Sequence, residues 1–593
     1  MKRQKELVRT LAVLLVFCLL FSGCVSLLPP LPGPTGPAVT ESGLPTTAGL
    51  VETETDVPET DAPEPDDGVP VRWRDGGELS FLPHEPVAVP QSSELTYTLT
   101  TLDYEGLKAR YEALTEKTAV CEDAEALLAD YYEILPLTRK LSTMYAICYF
   151  RFCRDQDSYY SSKVNIFGSQ MSVVKEKEAV LFAAFAASPC REELERRYFG
   201  EGFFDDYEEV TAADADYYEL LSKAGDYSAW CEEVNEAVFD STDSFLATHD
   251  EIGGYFLKLV AVRRQIAEAK GYETYMDYLY AKGYDRDYTP AQAAEYLTCV
   301  KEYLVPLAKD LYEQSPSLYY SEYPSVREKQ LMAYLSSAAE RMGGPIWEAF
   351  RFMEAYALYD IEASPEKYPI SYTIYLPDFE APLIFLYESD YDALCHEFGH
   401  FADNYRSYGD NVGNDIAEIY SQAMQYLAAA NTTEFNDSRR ERSLRVTLKD
   451  LLLNSVIYQA ALADFELQVY ALDPEELTLE AIDEIFARCR RDYDIKDGFS
   501  DDLGDKSWFL YTSFYNKAGY NISYSVSAIA SLQICRLEAE EAGAGVEAFC
   551  RLLDRTHGKK FACVLAEAGL ESPFEKGTVE QTADFLRDAL GLS

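Results

Sequence analysis

Residues 368–400 read YPISYTIYLPDFEAPLIFLYESDYDALCHEFGH. The first part of this stretch has a pattern typical of β-strands, and the second part has a pattern typical of a helix. The first part, Tyr368 to Tyr387, is rich in β-branched and aromatic residues and is broken by Leu-Pro-Asp and by Pro382. Branched and aromatic side chains favour extended backbone and proline favours turns, so this part predicts a strand, a turn and a second strand. The part that ends in His396 and His400 predicts a helix. A small hairpin should therefore lead directly into a helix.

On both sides of this stretch the chain is predicted to be helical. From about Leu95 onwards, apolar and aromatic residues recur at steps of three and four, with Glu, Lys and Arg between them. The clearest examples are Glu122–Cys153, Asp214–Phe239, Tyr255–Gly283 and Pro290–Gln314. No unit of roughly 20–50 residues repeats, which argues against a solenoid. We expect a mainly α fold with one small β-hairpin, an N-terminal helical part at 93–367 and a C-terminal helical part at 368–593.

The overall charge narrows the range of functions. The chain has 593 residues, of which 52 are basic and 102 acidic, so its formal net charge is −50 at pH 7. Such a chain lacks the positive excess that neutralises phosphates, which argues against a nucleic-acid partner. Because 48% of the residues are hydrophobic and 13% aromatic, there is enough apolar material for a large core. We therefore expect an acidic globular protein.

The N-terminus has the pattern of an export signal. Basic residues precede an apolar run from Leu11 to Phe21, which is too short to span a bilayer comfortably as a permanent helix. The run ends in Leu20-Phe21-Ser22-Gly23-Cys24, which resembles the bacterial lipoprotein signal, in which the cysteine becomes the lipidated first residue. We predict a signal peptide at 1–23 and a lipid on Cys24 that anchors the exported protein to the outer face of the bacterial cell membrane. An ordinary secretory signal or an uncleaved anchor is the alternative.

Residues 24–92 are expected to form a disordered tether. Between Val25 and Val71 there is no Lys or Arg, prolines recur throughout, and acidic residues crowd the second half. A segment of this composition cannot bury enough apolar surface to fold, and proline stiffness and charge repulsion extend it. Its predicted role is to hold the folded part away from the membrane.

The sequence HEFGH at 396–400 is the first candidate for chemistry. Residues four apart on a helix lie on one face, so His396 and His400 can bind one Zn²⁺ through neutral ring nitrogens. Glu397 can reach a zinc-bound water and act as its general base. The chain has only five histidines, so few chance matches to this motif are expected. The alternative is a pair of surface histidines on an amphipathic helix.

Catalytic zinc needs a third protein ligand as well as an open position for water. A second helical run opens at Gly413 and continues through Ala430, and its first turn could present Glu418 to the metal. Asp415 and Glu418 stand three apart, however, and also fit an N-terminal capping box. Asp415 could also orient a zinc-bound imidazole. The spacing alone leaves these alternatives open.

The stretch HEFGHFADNYRSYGDNVGNDIAEIYSQAM at 396–424 resembles the active-site region of the thimet oligopeptidase and oligoendopeptidase F family of zinc peptidases. Those proteins carry an H-E-x-G-H helix, a loop, and a helix whose Glu precedes a small polar pair. Glu418, followed by Ser421-Gln422, matches that Glu. Tyr255–Thr289 and Pro382–Tyr387 are also similar to parts of the family. The resemblance implies a large, two-lobed, zincin-type helical peptidase that encloses a deep channel. The implied ligands of its single zinc ion are His396, His400 and Glu418.

The resemblance also implies roles for other groups. Glu397 would take the proton from the zinc-bound water, and groups from a late, tyrosine-rich helix would stabilise the oxyanion. The matching stretch is Trp508–Gln533, in which Tyr520 and Tyr524 fall on the family's tyrosines. Relatives commonly carry a His just before this cluster, where this chain has Ser513 or its neighbours. The remaining histidines have no supporting context and are interpreted as surface, packing or helix-end residues: His84, His249 and His557.

Substrate binding is expected at the strand beside the metal. Leu383–Tyr387 would offer a free edge to an extended peptide, whose backbone adds as a further strand. By resemblance, the channel admits short peptides and excludes folded proteins. The implied function is a zinc metalloendopeptidase that hydrolyses short oligopeptides outside the cell. The alternatives are a dipeptide-releasing or carboxypeptidase-type zinc exopeptidase on the same fold, and a lipoprotein that binds peptides without cutting them.

Overall fold

The computed structural model describes residues 102–199, 202–204, 207, 215–235, 241–409, 413–496, 500–555 and 559–593. The predicted signal peptide and tether, at 1–92, lie outside these residues. Within the described part the chain is mainly α-helical, with one sheet of three short strands. The prediction of a mainly α fold with a small sheet is confirmed.

The described helices before the sheet form the N-terminal part. They are α1 Tyr104–Thr118, α2 Ala124–Asp155, α3 Ser158–Ala187, α4 Arg191–Leu194, α5 Ala215–Asn235, α6 Thr242–Ala269, α7 Tyr275–Tyr278, α8 Pro290–Cys299, α9 Val305–Gln314, α10 Pro316–Tyr319, α11 Leu331–Met342 and α12 Gly344–Ala355. Wider π-helical turns extend or join several of them at Glu195–Phe199, Leu279–Gly283 and Val300–Leu304.

The single helical run predicted at Tyr255–Gly283 is interrupted. Helix α6 ends at Ala269, and Gly271 takes a positive φ of 78°, which breaks the helical backbone. Thr274 then caps α7, because its hydroxyl accepts a hydrogen bond from the Asp277 N–H at 3.1 Å. A glycine and a capping threonine thus override the helical periodicity around them.

The sheet lies directly before the helix that carries the histidine pair. Its strands are β1 Tyr359–Asp360, β2 Tyr372–Leu376 and β3 Ala381–Phe385, in the order β1–β3–β2. Strands β2 and β3 form the predicted antiparallel hairpin, with Ile374 opposite Leu383. Strand β1 pairs parallel with β3, with Tyr359 opposite Ile384. This third strand was not predicted, because two residues carry no periodicity.

The expectation that Leu383–Tyr387 offers a free edge is wrong. Strand β3 is central, with β1 on one side and β2 on the other. On the β1 side, the Ile384 N–H donates to the Leu358 carbonyl at 3.1 Å, and the Leu386 N–H donates to the Asp360 carbonyl at 2.8 Å. Among the described residues, the edge strand on the hairpin side is therefore β2.

The described helices after the sheet form the C-terminal part. They are α13 Tyr391–Ser407, α14 Asn414–Asn431, α15 Asp437–Asp450, α16 Gln459–Ala471, α17 Leu479–Asp492, α18 Asp501–Gly504, α19 Ser513–Asn516, α20 Asn521–Glu540, α21 Ala544–Leu553, α22 Phe561–Ala568 and α23 Lys576–Leu590. A π-helical segment, Leu451–Tyr458, joins α15 to α16. Across the described residues, no helix has both the length and the apolar character that a membrane crossing requires.

Helix α14 lies at the centre of this part. It packs against α13 on one side and α20 on the other. Almost every residue of α14 from Asp415 to Asn431 is buried, including its polar ones. Buried polar side chains generally need hydrogen-bond partners. Several polar residues of α14 face α13 or α20, and Gln422, for example, donates to the Tyr524 carbonyl on α20.

Candidate metal centre and active site

Three ligand-type side chains meet where α13 and α14 face each other. His396 and His400 lie one turn apart on α13, and the Nε2 atom of each lies 3.7 Å from Oε2 of Glu418 on α14. One potential ligand atom from each residue lies within 4.8 Å of the others, and all three side chains are buried. The structure therefore brings together the residues that the sequence predicted as metal ligands.

The sheet and an N-cap aim the histidine helix. Helix α13 packs against β2 and β3, so the hairpin fixes its direction. Its first turn is capped by Asp390, whose Oδ1 accepts from the Ala393 N–H at 2.9 Å. With the helix held in this way, the i, i+4 spacing places both imidazoles on the face that meets α14.

Gly399 allows the two helices to approach closely. A Cβ atom at this position would lie 2.2 Å from the Tyr420 carbonyl oxygen and 2.7 Å from the Ser421 Cα atom. These are backbone atoms of α14, which cannot move aside as a flexible side chain could. The glycine in H-E-x-G-H thus sets the distance between the histidines and Glu418.

Burial determines the charge states of the ligands. It lowers the pKa of His396 to about 4 and lowers the pKa of His400 well below its ordinary value, so both imidazoles are neutral at pH 7. Burial also raises the pKa of Glu418 to about 7, against the hydrogen bonds that its carboxylate accepts. A buried carboxylate in this position is stabilised by a neighbouring cation.

The donor set fits zinc. Two neutral imidazole nitrogens and one carboxylate oxygen are a catalytic zinc ligand set, which leaves a further position for water or substrate. Ligands of one tetrahedral zinc lie about 3.4 Å apart, close to the observed 3.7 Å separations. These three residues could therefore hold one Zn²⁺ with little rearrangement.

A second layer of polar groups orients the ligands, and the sequence alone did not reveal it. The Gln425 Oε1 atom lies 3.3 Å from Nδ1 of His396, and its Nε2 donates to Asp392 at 2.6 Å. Because Oε1 only accepts, this contact places the His396 proton on Nδ1 and leaves Nε2 as the donor atom for a metal. Ser421 donates to Oε2 of Glu418 at 2.8 Å.

Glu397 is buried and contacts strand β2. The Thr373 hydroxyl on β2 lies 2.9 Å from Oε2 of Glu397 and 2.9 Å from the Glu397 backbone carbonyl. The other oxygen, Oε1, accepts no hydrogen bond from the described residues. Burial, reinforced by the charge of Glu418, raises the pKa of the Glu397 carboxyl well above its ordinary value. One oxygen is thus held by the sheet while the other is available.

The two predicted tyrosines lie at the third ligand. The Tyr520 hydroxyl donates to Oε1 of Glu418 at 3.2 Å and lies 3.2 Å from the Tyr524 hydroxyl. Tyr524 is in the first turn of α20, and Tyr520 immediately precedes that helix. The predicted tyrosine-rich stretch Trp508–Gln533 is not one helix, since a 3₁₀ turn at Ser507–Leu510 and α19 come before α20.

Asp415 has neither of its two predicted roles. The N-cap of α14 is Gly413, with no side-chain capping hydrogen bond, so the capping-box alternative is wrong. Asp415 pairs instead with the buried Arg286, at 3.1 Å from Nε to Oδ2. Its carboxylate contacts neither imidazole, and Nδ1 of His396 faces Gln425 instead.

The remaining candidates lie away from the cluster or outside the described residues. His249 is buried against Asp483, with Nε2 2.8 Å from Oδ1. Ser513 accepts from the Asn521 amide at 3.3 Å. His84 and His557 are not among the described residues.

Comparison with known proteins gives one family match and a set of similar folds. Residues 94–239 match a family model described as the Peptidase M3 N-terminal domain. No curated protein sequence matches the chain. The fold is similar to PZ peptidase A, with a TM-score of 0.71 and 22% identity over 84% of this chain and 99% of that one.

Two further solved structures extend the comparison. A protein assigned as an oligoendopeptidase F has a TM-score of 0.73 and 22% identity, over 85% of this chain and 99% of that one. An M32 carboxypeptidase from Deinococcus radiodurans R1 has a TM-score of 0.51 and 14% identity, over 82% of this chain and 100% of that one. The chain therefore has the helical fold of M3 and M32 peptidases, with an N-terminal segment that matches the M3 model.

Proposed function

We propose that this protein is a zinc-dependent metalloendopeptidase that hydrolyses short oligopeptides. The observation that carries the proposal is the convergence of His396, His400 and Glu418, three buried ligands contributed by two helices. Glu397 lies beside them with one oxygen that accepts no hydrogen bond from the described residues. The fold of the M3 peptidases supports the same reading.

In this proposal each residue has a separate task. Bound zinc would polarise the scissile carbonyl and make a water molecule acidic enough to attack it. Glu397 takes the proton of that water on Oε1 and passes it to the leaving amine, while Thr373 holds Oε2. Tyr520 and Tyr524 offer hydroxyl donors to the oxygen that gains charge.

The substrate backbone is proposed to add to the sheet at β2. Strand β2 is an edge of the sheet and carries Thr373, which contacts Glu397 directly. A peptide paired along this edge would therefore lie next to the general base. Pairing between backbones reads an extended conformation and not a side-chain sequence, which suits broad specificity.

A second candidate is a zinc carboxypeptidase, because the fold is also similar to the M32 carboxypeptidase. The two activities differ in their need for a free peptide terminus. An endopeptidase cuts a peptide whose ends are both blocked, whereas an exopeptidase requires a free end. A third candidate, a protein that binds peptides without cutting them, would leave both kinds of peptide intact.

The deciding experiment combines metal analysis with cleavage mapping. Purified protein should contain one zinc per chain and cut blocked peptides in a mixed pool read by mass spectrometry. The Glu397→Gln variant should keep its zinc and fold, yet lose about 10²–10⁴-fold in kcat, because only the proton transfer is removed. Cleavage restricted to free termini would support the carboxypeptidase, and a zinc-loaded protein that cuts nothing would refute hydrolysis.

We also propose that the protein is exported and anchored by a lipid on Cys24 at the outer face of the bacterial cell membrane. The support is the run Leu11–Phe21 followed by Leu20-Phe21-Ser22-Gly23-Cys24. Peptides outside the cell would then be its substrates.

A further inference from the structure

A buried carboxylate outside the metal cluster holds the segment that carries Tyr520. Glu466 lies on α16 and is 2% exposed. Its Oε1 accepts from the Gly519 N–H at 2.8 Å, and its Oε2 accepts from the Asn521 side-chain amide at 2.9 Å. The two donors are the residues on either side of Tyr520, so one carboxylate holds both flanks of this tyrosine.

Arg286 also binds the segment that carries Tyr520. Its guanidinium donates to the Gly519 carbonyl at 2.9 Å and to the Ser523 hydroxyl at 2.8 Å. The Gly519 residue is thus fixed at both its N–H and its carbonyl. It has a positive φ of 73°, a conformation that few residues other than glycine adopt readily.

The same arginine links this segment to the helix of the third metal ligand. Its Nε donates to Asp415 at 3.1 Å, and Asp415 lies one turn before Glu418 on α14. The guanidinium is buried, with the rings of Tyr280 and Tyr284 each 4.3 Å away. A buried charge pair of this kind fixes geometry more than it adds stability.

We propose that Glu466 is a positioning residue for Tyr520, and that Arg286 keeps the segment in register with Glu418. The consequence is that the Tyr520 hydroxyl is held within hydrogen-bonding distance of Glu418, 3.2 Å from its Oε1. This inference rests on the proposed function, in which Tyr520 meets the reacting carbonyl. A tyrosine held in advance avoids the cost of ordering it during the reaction.

The test compares Glu466→Gln with a control on the same helix. A glutamine has one acceptor oxygen and cannot serve both donors. We expect kcat to fall about tenfold to hundredfold with KM and zinc content little changed, because the hydroxyl is displaced while the metal site is not. The control is Asp464→Asn, also buried on α16, whose partners are Lys301 and Tyr493. It should leave kcat unchanged.

A double-variant comparison separates positioning from a general structural effect. If Glu466 acts through Tyr520, its substitution should cost little further activity in a Tyr520→Phe background. If the fold-losses in kcat of the two single variants simply multiply in the double variant, the proposal is overturned. Should Glu466→Gln not fold, Asn521→Ala removes one of the two hydrogen bonds without changing α16 and is judged by the same comparison.

Hydrogen exchange provides a readout that does not depend on activity. Exchange in peptides covering 516–524 should rise in Glu466→Gln and stay unchanged in Asp464→Asn. Unchanged exchange in both would refute the role of Glu466. If the wild-type protein cuts no peptide, the proposed function fails, whereas this measurement still decides whether Glu466 holds the segment.

Discussion

His396 is oriented through a glutamine and not directly by a carboxylate. The Gln425 side-chain oxygen accepts a hydrogen bond from Nδ1 of His396. Its amide nitrogen donates a second hydrogen bond to Asp392, which lies one turn before His396 on α13. Burial raises the pKa of Asp392 well above its ordinary value. A neutral amide between the two thus orients the ring without placing a full negative charge against it.

Replacing Gln425 with Leu should weaken zinc binding by about 10–100-fold, because the ring loses the acceptor that fixes its proton on Nδ1. The dissociation constant is measured by competition with a chromogenic chelator. The matched control is Gln533→Leu, a buried glutamine on α20 that bonds the backbone of Glu571. If both variants bind zinc equally well, Gln425 does not orient the ligand.

The cluster of His396, His400 and Glu418 could be predicted from the sequence, but the groups that support it could not. His396 and His400 are related by a helical repeat, which is a local property. Glu418 needed the family resemblance, since spacing also allowed a cap. Thr373 and Gln425 contact the site only through the packing of a strand and a second helix, and neither belongs to a motif around the histidines.

At the scale of elements, the site depends on how closely α13 approaches α14. Gly399→Ala should destabilise the protein by about 1–3 kcal/mol or more and weaken zinc binding, because its methyl group would meet the α14 backbone. Urea denaturation and zinc titration measure the two effects. Gly254 on α6 has no atom within 4 Å of its Cβ position, so Gly254→Ala should be neutral or stabilise by up to about 1 kcal/mol. Equal behaviour of the two variants would refute the close-contact argument.

Element prediction succeeded where periodicity runs long and failed where a local signal interrupts it. The predicted helix at Glu122–Cys153 is observed as α2, over almost the same residues. The single helix predicted at Tyr255–Gly283 is instead interrupted at Gly271. The pairing of β1 with β3 joins distant parts of the chain, and no local pattern specifies such a pairing.

The contact between α6 and α17, where His249 meets Asp483, should make the stability of the protein depend on pH. Asp483 on α17 faces His249, Lys506 and Trp508. Burial opposes its ionisation, but hydrogen bonds from these three groups outweigh burial and lower the pKa of the Asp483 carboxyl below its ordinary value. The stabilisation from this carboxylate is therefore present above its ordinary pKa and is lost as the pH falls through the lower, folded-state pKa.

Asp483→Asn should cost about 1–3 kcal/mol at pH 7, since charged hydrogen bonds are lost. The difference in unfolding free energy between wild type and variant should shrink as the pH falls below about 4, because the carboxyl then binds protons in the unfolded chain before it does in the folded protein. Urea denaturation at a series of pH values measures this difference. A gap that stays constant down to pH 2 would show that the ionised carboxylate is not its source.

At the scale of the whole molecule, the proposed lipid anchor at Cys24 can be weighed against the charge of the chain. The folded part is strongly acidic, with a formal net charge of −50 for the chain, and gains nothing from an anionic membrane surface. We therefore propose that attachment to a membrane comes from an apolar group. Cys24, at the end of the apolar run, is the proposed position of that group.

In a bacterial host fed with a labelled fatty acid, the wild-type protein should carry the label and sediment with membranes. Cys24→Ala should carry none, because the thiol that accepts the lipid is gone. Cys18→Ala, inside the apolar run, should behave as wild type and controls for the loss of a cysteine as such. An unlabelled wild type that still sediments with membranes would point to an uncleaved anchor, while an unlabelled wild type that is released would point to an ordinary secretory signal. Either result would remove the lipid from the proposal and leave the zinc site unaffected, since the two rest on separate parts of the chain.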